Sequence, residues 1–306
     1  MKKLIVLSMI MALALSVWSS FTSTHAQDSA KEEKPTFYRL IPGTYVNGWP
    51  RFTVPYPKDW VEATPLPQEA IRAVSPGGTG DVFVVGVGPF PALFGQPMDK
   101  AADLIAGSFK AISAKDMTVV TNRPSRLSNG TPAREIELRG IMSGLPFNYF
   151  CLGVEHGDVW IMLQVSSQSG RIGDHLRAIV YSLQYEPSKD EPVKVPPDVK
   201  EFFDSLRNAV ISHDLPKVMT HYSDRFLNSG VRKGGFELFL REMAMPRFNL
   251  ITSFEEIITD FISAGDRAHV AGFAVRNRIK FPFIPTSIIK ENGEWKWYGN
   301  QRDVSP

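Results

Sequence analysis

The sequence predicts an α+β fold in two domains, built mostly from antiparallel strands. Short runs of alternating or continuous apolar residues recur through both halves of the chain, separated by turn residues such as Asn-Gly and Gly-Asp. A few apolar stripes at helical spacing interrupt these runs. One charged, proline-rich stretch at 187–197 has no apolar periodicity and predicts an extended linker between the two domains.

Residues 1–26 have the order of a cleavable secretory signal peptide. Positive residues at 2–3 precede an almost wholly apolar run at 4–18, and 19–26 is small and polar. The apolar run is shorter than the roughly 18 to 20 residues that cross a bilayer, and the one cysteine, Cys151, is far from any lipid-attachment point. We expect a periplasmic or secreted protein with no stable membrane anchor after cleavage, beginning with a disordered lead-in at 27–35.

The charge balance argues against a nucleic-acid partner. The chain has 34 Lys and Arg against 32 Asp and Glu, but residues 1–26 hold Lys2 and Lys3 and no acid, which leaves 32 of each sign. Without a basic excess, long-range attraction to nucleic acid has no basis. A single cysteine excludes an intramolecular disulfide, so packed cores must stabilise the fold.

The first domain is predicted at 36–186. Alternating and continuous apolar residues predict early strands, helical stripes predict two helices, and turn signals separate the strands of a meander between them. We predict strands at 52–56, 82–87, 118–127, 133–141, 148–155 and 158–165, and helices at 97–114 and 172–183.

Residues 48–60, GWPRFTVPYPKDW, resemble the opening of the Mog1/PsbP-like family, in which an aromatic-rich strand ends in a Pro-x-x-Trp corner. The predicted element order agrees with that family over about 36–186. The resemblance implies an α/β/α sandwich with an antiparallel sheet, which usually serves as an adaptor or assembly module. The family has no shared catalytic residues, so the resemblance assigns none here.

The second domain is predicted at 198–303, with helices first and strands after them. A helix at 199–210 begins after Pro196-Pro197, Asp214 is placed to cap a second, and 236–243 marks a third. Strands follow at 254–262, 268–281, 287–290 and 294–298, the last two joined by a turn at Asn292-Gly293.

This order, with SHDLPKVMTHYSDRF at 212–226 and IKENGEWKW at 289–297, resembles the NTF2-like (SnoaL-like) superfamily. The resemblance implies a cone in which a curved antiparallel sheet wraps around helices and a cavity. Some members are enzymes that use an acid or base in the pocket, and many are binding or dimerisation modules. A homodimer through the C-terminal sheet is one consequence that we expect.

The candidate ligand-binding residues all belong to the second domain. The NTF2-like layout places the helix that carries His221, Tyr222 and Asp224 at the cavity mouth, and we expect Arg276 and Arg278 on one face of a long strand to attract an anionic ligand. The alternative to ligand binding is a structural role, in which Tyr222 is a core residue, Asp224 pairs with a neighbouring residue and the arginines are solvated.

Trp295 and Trp297 alternate with charged residues, so both should project from the helix-covered face of the last strand. Burial against Phe202, Phe203 and Leu206 is expected. For Trp297, a place in the cavity wall remains open as an alternative.

No residues form a catalytic or metal-binding constellation. No histidines stand at metal-ligand spacing, and Cys151 is expected in a core. The acidic pairs are expected on solvated faces, namely Glu255-Glu256, Glu135 with Glu137, and Glu237 with Glu242. The sequence therefore favours an exported binding or assembly module for an unknown protein or small molecule, with no cofactor. The alternative is a small-molecule enzyme for proton transfer or hydrolysis, with His221 or Asp224 as the base.

Overall fold

The computed structural model of the chain describes residues 43–63, 69–76, 80–88, 98–111, 114–187, 190–228, 231–241, 249–283 and 286–300. Contacts among these residues divide them into two compact units. The N-terminal unit includes 43–45 and 53–185, and the C-terminal unit includes Val46–Phe52 and the chain from Glu186 onward. The predicted signal peptide and lead-in lie outside the described residues. Among those that are described, no helix combines the length and apolar character that a membrane span requires.

Antiparallel strands make up most of the first part of the chain. They are β1 (Thr44–Asn47), β2 (Phe52–Pro55), β3 (Val61–Ala63), β4 (Glu69–Val74), β5 (Val82–Gly88), β6 (Ala114–Arg126), β7 (Pro132–Met142), β8 (Leu145–His156), β9 (Val159–Ser167) and β10 (Gln184–Tyr185). A seven-stranded antiparallel sheet has the order β3-β4-β5-β9-β8-β7-β6, and a small sheet has the order β1-β2-β10.

The helices α1 (Ala101–Ala111) and α2 (Asp174–Tyr181) cover opposite faces of the large sheet. Phe109 of α1 contacts alternate residues of β8, with ring centroids 5.0 Å from Phe147 and 5.2 Å from Tyr149. Phe150 points the other way and lies under Arg177 of α2, 4.4 Å from the guanidinium carbon. Because both faces are covered, β8 and β9 are continuous buried runs.

The second part of the chain begins with helices, as predicted, and continues with a sheet. Its elements are α3 (Pro197–Ile211), α4 (Leu215–Thr220), β11 (Tyr222–Asn228), β12 (Val231–Arg232), α5 (Lys233–Phe239), β13 (Phe254–Ala264), β14 (Arg267–Arg276), β15 (Ile279–Pro282), β16 (Ser287–Glu291) and β17 (Glu294–Gly299). The strand order is β12-β11-β17-β16-β14-β13, with β15 paired to β14. The β11–β17 pair is parallel and the remaining pairs of this sheet are antiparallel.

One face of this sheet and the helices enclose the C-terminal core. The apolar stripe of α3, from Val199 to Val210, is buried as its spacing predicts. Trp295 and Trp297 are both buried on this face, and the Trp297 ring lies 5.8 Å from Phe202 and 5.5 Å from Phe203. The predicted cap also forms, since the Asp214 carboxylate accepts a hydrogen bond from the Lys217 amide at 3.0 Å.

Two predicted elements differ from the structure in ways that matter for the candidate site. The helix α4 ends at Thr220, and Tyr222 and Asp224 belong to the strand β11. The predicted strand at 268–281 is a hairpin, because positive φ angles at Asn277 and Arg278 form a two-residue turn between β14 and β15.

The C-terminal unit also contains two segments that the sequence placed outside it. Trp49 packs its ring 4.3 Å from Phe273 and donates a hydrogen bond to Asp190 at 2.9 Å. Asp190 forms an ion pair with Lys280 as well. In the predicted linker, the Val193 amide donates to the Ile258 carbonyl at 2.8 Å. At these points the extended, proline-rich segment is bound to the C-terminal unit.

Candidate functional site

A buried carboxylate on the helix-covered face of the C-terminal sheet marks the candidate site. Glu256 lies in β13, two residues before the core residue Ile258, so its side chain points to the same face. The neighbouring strand β14 places Ala274 opposite Glu256 and Arg276 opposite Phe254. Cross-strand partners share a face, so Arg276 projects to the side on which Glu256 lies. We call Tyr222, Glu256 and Arg276 the Glu256 site.

The Glu256 carboxylate is only partly satisfied. Its side chain is 2% exposed, and Oε2 accepts a hydrogen bond from Arg207 Nε of α3 at 3.1 Å. Oε1 is buried and has no hydrogen-bond partner among the residues that the structure describes. Burial raises the pKa of Glu256 to about 7, against the opposing effect of Arg207. Near neutral pH this carboxyl group therefore exchanges a proton.

Arg276 is a desolvated cation at the end of β14. Its guanidinium lies over the ring of Phe281, 3.7 Å from the centroid. Burial lowers the pKa of Arg276 to about 10. Among the described residues, no carboxylate forms an ion pair with it, so its charge is balanced by no neighbour in that part of the chain.

Tyr222 interacts electrostatically with both charged groups. Its ring lies 5.1 Å from Phe226 and 5.1 Å from Phe236, within an aromatic wall over β11. Burial raises the pKa of Tyr222 above its ordinary value, the charge of Arg276 lowers it and that of Glu256 raises it. The hydroxyl is therefore within electrostatic reach of both charges and stays protonated.

The structure brings together only part of the predicted set. Tyr222 and Arg276 meet at the Glu256 site. Asp224 is on the exposed side of β11, with a side chain 94% exposed and an ion pair to Lys233 at 2.8 Å. Arg278 is exposed in the β14–β15 turn and does not share a strand face with Arg276, contrary to the prediction.

His221 and Trp297 are held by other protein groups. The two ring nitrogens of His221 lie 2.9 Å from the Lys217 carbonyl and 2.9 Å from the Ser205 hydroxyl. Burial lowers the pKa of His221, which favours the neutral form of the ring. Both ring nitrogens have hydrogen-bond partners. Trp297 is 4% exposed and packs against Phe202, Phe203 and Phe283. These contacts make Trp297 a core residue.

Glu256 is the candidate site residue that sequence reasoning missed. Glu255 and Glu256 read as one solvated acidic pair, and the structure shows that this holds for the exposed Glu255 alone. The prediction was equally wrong for Glu135 and Glu137, which are buried at 6% and 5% exposure. Strand alternation was the available signal, since neighbours in a strand face opposite sides.

The N-terminal unit presents less reactive chemistry. Cys151 is fully buried, as predicted, and burial raises the pKa of its thiol to about 12. A pocket of about 20 Å³ near Arg72 and Tyr149 has room for little more than a water molecule. Arg72 is held there by Glu69 through contacts of 2.9 and 2.5 Å. Within the described chain, no group of three or more His, Cys, Asp or Glu is placed to hold a metal ion.

Comparison with known proteins does not assign a family. No family model matches the chain, and no curated protein matches it. Three solved structures show remote similarity. Bd1075 of Bdellovibrio bacteriovorus is 15% identical over 33% of this chain and 37% of its own length, with a TM-score of 0.27. A Bacteroides thetaiotaomicron protein is 10% identical over 84% of this chain and 89% of its own, with a TM-score of 0.30.

The third is a cystatin-like protein from Ruminococcus gnavus, which is 11% identical over 65% of this chain and 68% of its own, with a TM-score of 0.17. This chain thus spans little more than a third of Bd1075. These low scores identify neither a family nor a function, and the two resemblances inferred from the sequence remain predictions.

Proposed function

We propose that this chain is an exported binding protein whose C-terminal unit holds a small-molecule ligand at the Glu256 site. One observation carries the proposal: Glu256 Oε1 is buried without a partner on the same sheet face as Arg276, a cation without a carboxylate partner among the described residues. Leaving a buried acceptor unpaired costs roughly 1–3 kcal/mol, and more for a charged one. A ligand that completes both groups removes this cost.

The order of the elements supports the finer architecture that we propose. Helices on opposite faces of an antiparallel sheet suit a Mog1/PsbP-like α/β/α sandwich. Three helices, a mostly antiparallel sheet and a final hairpin at Asn292-Gly293 suit an NTF2-like cone. Both families contain binding and assembly modules, which agrees with a role that needs no catalytic residue. We also propose that the protein acts in the periplasm or outside the cell, on the strength of its first 26 residues.

Thermal shift assays with benzoate, benzamide and benzylamine test the proposed function. These probes share a ring and differ in charge. We expect at least one to raise the melting temperature of the wild-type protein, with the increase lost in Arg276→Met or Glu256→Gln. The exposed neighbours supply matched controls, so Arg278→Met and Glu255→Gln should respond like wild type. If no probe shifts the transition, or if all variants respond alike, the Glu256 site is not a binding site.

The pKa of Glu256 favours a second candidate, proton transfer in the same site. A base with a pKa of about 7 combines basicity with availability at neutral pH. This role passes to Glu256 from His221 and Asp224, which the sequence had suggested. The probe is 5-nitrobenzisoxazole, in which removal of the C3 proton breaks the N–O bond and gives a coloured nitrophenolate. Catalysis should rise through about pH 7 and be lost in Glu256→Gln, and equal rates in the two proteins would exclude this role.

A further inference from the structure

One positive charge at the Glu256 site, that of Arg276, has no carboxylate partner among the described residues. Arg207 is offset by Glu256 and also by Asp204, whose Oδ1 it contacts at 3.0 Å. Asp204 in turn pairs with Lys200 at 2.5 Å, so these four groups balance. Arg276 is left over, without a carboxylate partner among the described residues. A desolvated, uncompensated arginine is best completed by a carboxylate, which its planar fork can bind in a bidentate manner.

The second group without a partner among the described residues is Glu256 Oε1, which needs a hydrogen-bond donor. Glu256 Oε1 is an acceptor that is fully buried on the sheet face facing α3. When ionised it accepts hydrogen bonds and donates none, so its missing partner is an N–H or O–H group. The ligand must therefore present a hydrogen-bond donor as well as an anion.

The sheet register places the two residues at diagonal positions of neighbouring strands. Glu256 stands opposite Ala274, and Arg276 is two residues further along β14. The Cα atoms of such diagonal positions are about 7–8 Å apart, and Glu256 and Arg276 do not pair with each other. A benzene ring with substituents at opposite ends spans a separation of this order. The neighbouring wall is aromatic, formed by Tyr222, Phe226 and Phe236 with ring separations of 5.1 to 5.4 Å.

We infer that the Glu256 site binds an aromatic monocarboxylic acid with a hydroxyl or amino group at the far end of its ring. The carboxylate pairs with Arg276, the donor meets Glu256 Oε1, and the ring packs against Tyr222. This ligand class rests on the proposed binding function and makes it specific. Since one end of the ligand satisfies the buried Glu256 and the other the half-buried Arg276, each end contributes separately to affinity.

Isothermal titration of the full mature chain at pH 8 tests this inference, because Glu256 is then largely ionised. The probes are 4-hydroxybenzoate, benzoate and 4-hydroxybenzamide, which respectively carry both features, only the anion and only the donor. We expect 4-hydroxybenzoate to bind at least tenfold more tightly than either of the others, as expected for one buried hydrogen bond to a charged group. Glu256→Gln should abolish the preference over benzoate, and Arg276→Met the preference over the amide.

Two further measurements show whether the variants are folded. The pattern of binding then separates the proposed ligand class from the proposed binding function. Arg276→Met should melt no lower than wild type, because it removes a half-buried charge that has no carboxylate partner among the described residues, and Arg278→Met should bind like wild type. Equal affinity for all three probes, or tighter binding of 4-hydroxybenzamide than of 4-hydroxybenzoate, would overturn the ligand class and leave the binding function standing. Absence of binding by every probe would remove both.

Discussion

Replacing Glu256 by Gln should stabilise the protein at alkaline pH and leave it nearly unchanged at pH 4. The raised pKa means that folding favours the protonated carboxyl group. The associated stability is fully present below the ordinary value of 4.5, falls as the pH rises, and is lost above about 7. Besides burial itself, the charged groups that set this balance are Arg207, which lowers the pKa of Glu256, and Asp204, which raises it.

The magnitude follows from the two pKa values. Each pKa unit corresponds to about 1.4 kcal/mol, so the interval from 4.5 to about 7 corresponds to about 3 kcal/mol at pH 8 and above. At pH 5 most of this cost is absent. Glutamine retains an oxygen that accepts from Arg207 but carries no charge to desolvate. Between pH 5 and pH 8 the variant should therefore gain about 2–3 kcal/mol in free energy of unfolding relative to wild type.

Urea unfolding at pH 5 and pH 8, followed by circular dichroism and tryptophan fluorescence, measures this difference. Glu255→Gln is the matched control, because Glu255 is exposed on the adjacent position of the same strand. The control should follow wild type at both pH values. A variant at Glu256 that tracks wild type across this interval, or that is less stable at pH 8, would show that the carboxylate is solvated or better paired than its contacts indicate.

Four further predictions concern packing. Trp297→Ala should lower the free energy of unfolding by about 3–5 kcal/mol in the same urea assay, and a smaller loss would place the ring in a loose cavity wall. Gly48→Ala brings a Cβ to 2.4 Å from the Ala271 Cβ, so amide hydrogen exchange in Val46–Phe52 should become faster. Gly107 has open space around it, so Gly107→Ala should stabilise α1 by about 0.5–1 kcal/mol. The Cys151 thiol should react with a disulfide reagent only after unfolding, and rapid reaction of the native protein would contradict its burial.

The elements with strong periodicity were predictable, and their boundaries agree with the structure within a few residues. The strands β7 to β9 and the helix α3 each contain a long run of apolar residues with the spacing of their element. The short strands β4 and β15 were not identified as separate elements. A strand of four to six residues offers few repeats of its pattern, and its place in the sheet is decided by neighbours distant in sequence.

The candidate site could be predicted only in part, because its residues depend on strand register. Placing 221–224 on a helix put His221, Tyr222 and Asp224 together, whereas in β11, whose register shifts between Tyr222 and Leu227, Tyr222 is buried and Asp224 is exposed. A similar error joined Arg276 to Arg278, since alternation fails at a two-residue turn. Strand alternation places Glu255 and Glu256 on opposite faces, and the pairing of β13 with β14 shows that Glu256 lies on the face of Arg276.

The segment Val46–Phe52 shows how a local motif and tertiary contacts can divide the same residues differently. The string at 48–60 led to its assignment to the N-terminal domain, and its second half, from Thr53 onward, does belong to the N-terminal unit. Its first half instead packs on β14, where Trp49 covers Phe273. A Trp side chain buries about 150–250 Å² of surface, so packing Trp49 on the apolar face of the sheet removes a large apolar area from water. The boundary between the units therefore follows where this apolar area is buried, and the sequence order of the motif does not determine it.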